Sequence, residues 1–236
     1  MCFRLLALKR FAAAILLAHA CMAPARADDL EDFNRAVEGA MSHHRVAAGY
    51  LRTGNIDLAA LELDDLRAAW AKVSTLRRPA VFRDTERYTA TMLEIAAQFI
   101  GTKLVLDMGR TDVARESLDK VRRQLSELRR ANGVTVLADC VLDSNNAMDA
   151  LFAHDGRPDW TTLPAGAEAY RATLQRCDAM APPTIGNQPE FRRLIDGALA
   201  SLAQFPRAIE TRDGALLHRL LIELRSFDHL LAFRYG

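Results

Sequence analysis

The side chains best suited to hold a cofactor belong to three neighbouring residues, Met41, His43 and His44. Imidazole and thioether groups are axial ligands of haem iron, and both also bind copper. Met41 and His44 fall on one apolar helix stripe, and His43 lies at its edge. The pattern therefore predicts a site for b-type haem or copper. The alternative is a structural role, in which His44 lines the core, Met41 fills space and His43 is solvated.

Two cysteines, Cys140 and Cys177, remain after the first 27 residues. They fall in two predicted helices, at 135–153 and 164–179. In an antiparallel hairpin, residues that face each other have residue numbers with a nearly constant midpoint. The midpoint of this pair is 158.5, which lies in the predicted loop at Pro158. The register therefore predicts a structural disulfide, and a pair of buried free thiols is the alternative.

The chain lacks the motifs of the common catalytic sites. It contains no E-x-x-H, H-E-x-x-H, G-x-S-x-G, Walker A or G-x-G-x-x-G sequence. Its acidic residues are interspersed with arginine along the helices, a spacing typical of solvated ion pairs. We therefore expect no catalytic residues and a protein that is not an enzyme.

The first 27 residues have the pattern of a secretory signal peptide. Basic residues surround a short apolar run, Phe11–Ala18, and Ala25–Arg26–Ala27 is a small-residue cleavage site. We expect cleavage after Ala27 and export to an oxidising compartment, most simply the bacterial periplasm, where a disulfide can form. Lipidation of Cys21 is the alternative.

The charge balance excludes one class of partner. The chain has 31 Lys and Arg against 30 Asp and Glu, and a formal net charge of +1. Removal of the four basic residues of the signal changes that charge to −3. Such a chain lacks the basic footprint of a nucleic-acid-binding protein, so we expect no nucleic acid. No later run of about 18 uncharged apolar residues exists, so no transmembrane segment is expected after the signal.

The apolar spacing is helical along the whole mature chain, which predicts an all-α fold. Gly54 and Gly109 can take left-handed conformations at helix ends, and Asp213 or Thr211 can cap the last helix. The predicted helices are about eight in number and cover residues 29–53, 56–76, 85–107, 112–131, 135–153, 164–179, 188–210 and 213–234.

Similar turn sequences suggest a weak internal repeat. The segment that begins at Gly54 resembles the one that begins at Gly109, and a looser copy begins at Thr211. Each turn joins two helices, so we expect four αα-hairpins in two four-helix bundles, at 28–134 and 135–236. A tetratricopeptide-like (TPR-like) repeat is the alternative, although the period of 55 residues and the long helices disfavour it.

The C-terminal helix resembles that of the cytochrome c′ and cytochrome b562 group. In cytochromes c′ the last helix carries C-x-x-C-H followed by an aromatic residue and arginine. Phe233–Arg234 matches that last pair, but Ser226, His229 and Leu230 stand where the motif has Cys, Cys and His. The resemblance implies a four-helix-bundle fold, and it implies that covalent haem attachment is absent.

These observations predict an exported, non-catalytic helical-bundle protein that needs no cofactor and binds a protein partner or a small ligand. A b-type haem or copper protein that uses Met41 and His44 is one alternative. A TPR-like interaction scaffold is the other.

Overall fold

The computed structural model describes residues 24–236, and side chains from Asp29 onward. All regular secondary structure in this range is helical, as the sequence predicts. The predicted signal peptide, residues 1–27, lies outside the described range except for the backbone of its last four residues. The helices are α1 Pro24–Thr53, α2 Ile56–Thr75, α3 Thr85–Asp107, α4 Thr111–Arg130, α5 Leu137–Phe152, α6 Leu163–Met180, α7 Pro183–Gly186, α8 Pro189–Leu202, α9 Phe205–Glu210 and α10 Gly214–Tyr235.

One predicted helix, 188–210, is divided in the structure. Its first part, α8, ends at Leu202, and its second part, α9, begins at Phe205. Pro206 causes the break, because a proline inside a helix removes a backbone donor and its ring clashes with the carbonyl four residues earlier. Proline is tolerated in the first turn of a helix, which is where α9 places it.

The turns that end α1 and α3 depend on glycine, as predicted. Gly54 and Gly109 have φ angles of +78° and +76°, a left-handed conformation that costs glycine little. In the third, looser copy of the turn, Arg212 takes the left-handed conformation, with φ of 49°. The carboxylate of Asp213 then accepts a hydrogen bond from the backbone N–H of Leu216 and so caps α10.

The contacts group the chain into two units, of which unit 1 comprises residues 1–47 and 56–117. Its described part packs α2 against α3. Aromatic side chains dominate its core: the Phe33 ring lies 5.3 Å from that of Phe82, and the Trp70 ring lies 5.5 Å from that of Phe99. These edge-to-face pairs bury large apolar areas and hold the helices at a fixed separation.

Unit 2 comprises residues 48–55 and 118–236. In this unit α5 packs against α6 and α10, and α10 also packs against α8. Leucine and phenylalanine side chains of these helices form one continuous core. The predicted division into bundles at 28–134 and 135–236 stays a prediction, as does the choice between bundles and repeats.

The predicted disulfide is confirmed. Cys140 on α5 and Cys177 on α6 are bonded, and their Cα atoms lie 5.4 Å apart. Both side chains are buried. The bond therefore joins two neighbouring helices inside the core of unit 2.

Candidate functional site

The three predicted cofactor ligands have two different environments, and all of them belong to unit 1. Met41 and His44 are buried in the apolar stripe of α1, where the exposed fraction of His44 is 1%. His43 is partly exposed and faces α2, where one of its ring nitrogens, Nδ1, lies 2.8 Å from Oε2 of Glu62. The structure therefore places His43 apart from Met41 and His44, and a haem or copper role for the three residues stays a prediction.

His43 belongs to a group of possible metal ligands that also includes Glu62 and Asp65 of α2. One ligand atom from each of the three side chains lies within 4.8 Å of the other two. Glu62 and Asp65 are three residues apart, so they share one face of α2. We call His43, Glu62 and Asp65 the His43 group.

Nothing in the composition of the sequence distinguishes the two carboxylates of the His43 group. Acidic residues in a run such as Glu62–Asp65 are typical of a solvated helix surface, so the composition gave no reason to choose them. The register of the α1–α2 hairpin does indicate that His43 and Asp65 are close, because both are equally distant in sequence from Gly54 in the turn. Residues placed in that way face each other across the α1–α2 pair.

A long apolar face of α3 is exposed. Tyr88, Met92, Ile95, Phe99, Thr102 and Leu106 form the buried face of this helix. On the opposite face, four large apolar side chains have exposed fractions between 58% and 68%, namely Leu93, Ile100, Leu104 and Met108. Their spacings of seven, four and four residues align them in one stripe about four turns long. We call these four residues the α3 stripe; the sequence pattern does not show that they are exposed.

Unit 2 contains a cluster of polar side chains with buried polar atoms: Ser144 and Asn145 on α5, Tyr170 on α6 and Asp228 on α10. Within the described residues, a polar atom of each lacks a partner in hydrogen-bond geometry. Arg122 of α4 donates to Oδ1 of Asn145 at 2.8 Å. Burial raises the pKa of Asp228 to about 6, although the Asn145 amide and the Arg225 charge act in the opposite direction.

We expect Asp228→Asn to stabilise the protein at neutral pH but not at low pH. Well below pH 3.8 the carboxyl is protonated in both the folded and the unfolded chain, so it contributes nothing. Between pH 3.8 and about 6 the unfolded chain releases the proton first, so the cost of folding rises with pH. The cost levels off above that range, at about 2–3 kcal/mol for a shift of about two pKa units.

Urea unfolding of both proteins at several pH values measures this difference. The free energy of unfolding of Asp228→Asn should exceed that of the wild type by the full amount at pH 7.5 and match it at about pH 3. A difference that does not change with pH would show that Asp228 does not titrate in this way.

A buried ion pair joins α4 to α5. The guanidinium of Arg129 donates to both carboxylate oxygens of Asp139, with Nε 2.9 Å from Oδ2. Asp139 also accepts from the backbone N–H of Val136 at the start of α5. The exposed fractions of the two side chains are 6% for Arg129 and 1% for Asp139. Each of these two buried charges is stabilised by the other, because bulk water solvates neither of them.

The remaining histidines of α10 do not form a metal site together. His218 lies 2.7 Å from the carboxylate of Asp155 in an exposed pair. His229, which stands at the second cysteine position of the cytochrome c′ motif, is partly buried, and burial together with the charge of Arg225 lowers its pKa. The ring of Phe233 lies close to Gly49 of α1, so this aromatic residue packs within unit 2.

Comparisons with protein families, with curated proteins and with solved structures found no match to this chain. Among the helices of residues 24–236, none combines the length and the apolar composition that a bilayer crossing requires.

Proposed function

We propose that the protein is an exported, non-catalytic helical protein that works by binding a protein partner through the α3 stripe. The observation that supports this proposal is the exposure of four large apolar side chains on one helix face. Contiguous apolar patches of this kind are uncommon on monomeric proteins and mark sites of association. The signal-like sequence and the Cys140–Cys177 bond support export, since disulfides persist in oxidising compartments.

The partner that the α3 stripe fits is a second copy of this chain. A two-fold contact buries the same patch on both copies, so each apolar side chain contributes its buried surface twice. Two stripes together remove on the order of 1,000 Å² of surface from water, which is near the lower limit for a specific interface. Ala97 and Gly101 lie between the large side chains of the stripe. Small residues at these positions allow two helices to approach closely.

We expect the wild-type protein to dimerise and the double variant Ile100→Glu/Leu104→Glu to be monomeric. Each dimer of the variant would have to bury four carboxylates, so its dissociation constant should rise by at least about 100-fold. Sedimentation equilibrium at protein concentrations up to about 100 µM measures both constants. Circular dichroism should show the same helix content in both proteins, because the two substituted side chains are exposed.

The matched control is Ile222→Glu/Leu230→Glu, which changes two exposed apolar residues of α10 in unit 2. This variant should dimerise like the wild type. A wild-type protein that stays monomeric at the highest concentration would overturn the second copy as partner. Equal loss of dimer in both variants would show that the contact is not specific to the α3 stripe.

A further inference from the structure

We propose that the His43 group is a binding site for one Zn²⁺ ion, independent of the α3 stripe. The three side chains offer one imidazole nitrogen and two carboxylate oxygens, a set that suits Zn²⁺. Zinc sites with three protein ligands complete a tetrahedron with a water molecule. The proposal therefore concerns a site with one open coordination position, formed between α1 and α2 of unit 1.

The distances are compatible with this coordination. Ligand atoms about 2.0–2.2 Å from a tetrahedral Zn²⁺ ion lie about 3.3 Å from one another. Nδ1 of His43 and Oε2 of Glu62 are already 2.8 Å apart, and no pair in the group exceeds 4.8 Å. The Asp65 side chain is exposed, so it can close the remaining gap by rotation about its own bonds.

The charges of the group also favour a divalent cation. With a neutral imidazole, the two carboxylates carry a formal charge of −2, which one Zn²⁺ ion balances. Asp64, the neighbour of Asp65, is neutralised by Arg67 at 3.2 Å. Asp65 itself forms no ion pair or hydrogen bond with any residue in the described part of the chain. One carboxylate of the group therefore has no competing cation.

The accessibility of the group permits metal entry. His43 and Glu62 are partly exposed and Asp65 is exposed, so an ion can reach the site without local unfolding. The partial burial of the first two side chains limits their motion, which reduces the entropy lost when they bind metal. Core side chains of the same two helices, such as Phe33 of α1 and Trp70 of α2, are buried and hold the helices in place.

The test is isothermal titration of the full chain, purified without a histidine tag, with ZnCl₂ at neutral pH. We expect one Zn²⁺ per chain and a rise in the thermal unfolding midpoint when zinc is added. Affinity should fall as the pH is lowered, because the imidazole and the carboxylates bind metal only when deprotonated. Less than one bound zinc per chain at saturating concentration would overturn the proposal.

Two variants locate the bound ion. His43→Gln and Asp65→Asn should each weaken zinc binding by at least about tenfold. Asp65→Asn changes an exposed side chain, so it keeps the fold even if His43→Gln does not. Zinc binding that is unchanged in Asp65→Asn would place the ion elsewhere and overturn the proposal.

The chain supplies a matched control for each variant. His218→Gln removes a histidine that is paired with a single carboxylate, and Asp64→Asn removes an acid that is paired with Arg67. Both controls should bind zinc like the wild type. A loss of binding in either control as large as in the test variants would contradict the assignment to the His43 group. Because none of these variants changes the α3 stripe, the zinc result is independent of dimerisation.

Discussion

Replacing Cys140 and Cys177 together by alanine should lower the free energy of unfolding by roughly 3–4 kcal/mol. The bond joins residues 37 positions apart in the sequence. In the chain-entropy account, a cross-link that closes a loop of this length removes many conformations from the unfolded chain and so destabilises it. The two alanines also leave the core of unit 2 without its buried sulfur atoms, which adds to the loss.

Urea unfolding under non-reducing conditions measures this effect. The variant should have a lower midpoint, and a steeper dependence on urea because its unfolded chain is more expanded. Wild-type protein treated with a reductant in urea serves as the control, since it has the same side chains without the bond. Thiol titration of the unreduced, denatured mature protein, which lacks Cys2 and Cys21, should find neither Cys140 nor Cys177 free. A double-alanine variant as stable as the wild type would show that the bond does not constrain the unfolded chain.

Arg129→Met should destabilise the protein by about 3–5 kcal/mol, because it leaves the carboxylate of Asp139 buried without its counter-charge. Methionine keeps most of the volume of the arginine stem, so packing loss is a small part of the effect. Asp139 also retains the hydrogen bond from the backbone N–H of Val136, which compensates only part of the lost charge interaction. The measurement is the free energy of unfolding from urea titration.

Arg130→Met is the matched control. Arg130 is the next residue of α4 and pairs with Asp143 of α5, but its side chain is about half exposed. Exposed pairs contribute roughly 0–1 kcal/mol, so this variant should remain close to the wild type. In Arg129→Met/Asp139→Asn no unpaired charge is left, so the double variant should recover part of the stability lost in the single one. Similar losses of unfolding free energy in Arg129→Met and Arg130→Met would show that burial does not determine how much an ion pair contributes to stability.

The sequence predicts the helices well because their ends depend on local chemistry. Gly54 and Gly109 form left-handed turns, and Asp213 caps α10 through its own side chain. The break before α9 also has a local cause, Pro206. The apolar periodicity continues across this break, so the sequence pattern predicts one continuous helix. Local signals of this kind need no knowledge of the tertiary fold.

The disulfide was predictable because it depends on the register of one hairpin. Cys140 and Cys177 are equally distant from the loop that joins their helices, and sequence numbers alone reveal that. The same reasoning applies to His43 and Asp65 around Gly54, where the solvated character of acidic residues hid the pairing. The register of a hairpin therefore predicts contacts between its two helices from the sequence.

Other features could not be derived from the sequence, for two physical reasons. Arg129 and Asp139 resemble the many solvated charges of the chain, and their burial depends on how several helices meet. The residues of the α3 stripe resemble core residues in type and spacing, so composition cannot tell which face of α3 is covered. Both features depend on tertiary packing, and the apolar periodicity of the sequence carries no information about it.

Unit 2 is formed from two separate segments of the chain, and this affects the order in which the chain folds. Its residues 48–55 are synthesised before residues 56–117, and the rest of the unit follows only from residue 118. Closing a loop of this size changes stability little but slows folding, since distant contacts must form together. Helix α10, which is synthesised after α5 and α8, packs against both of them. A nascent chain that has not yet reached Gly214 therefore cannot complete the core of unit 2, whatever its earlier helices have formed.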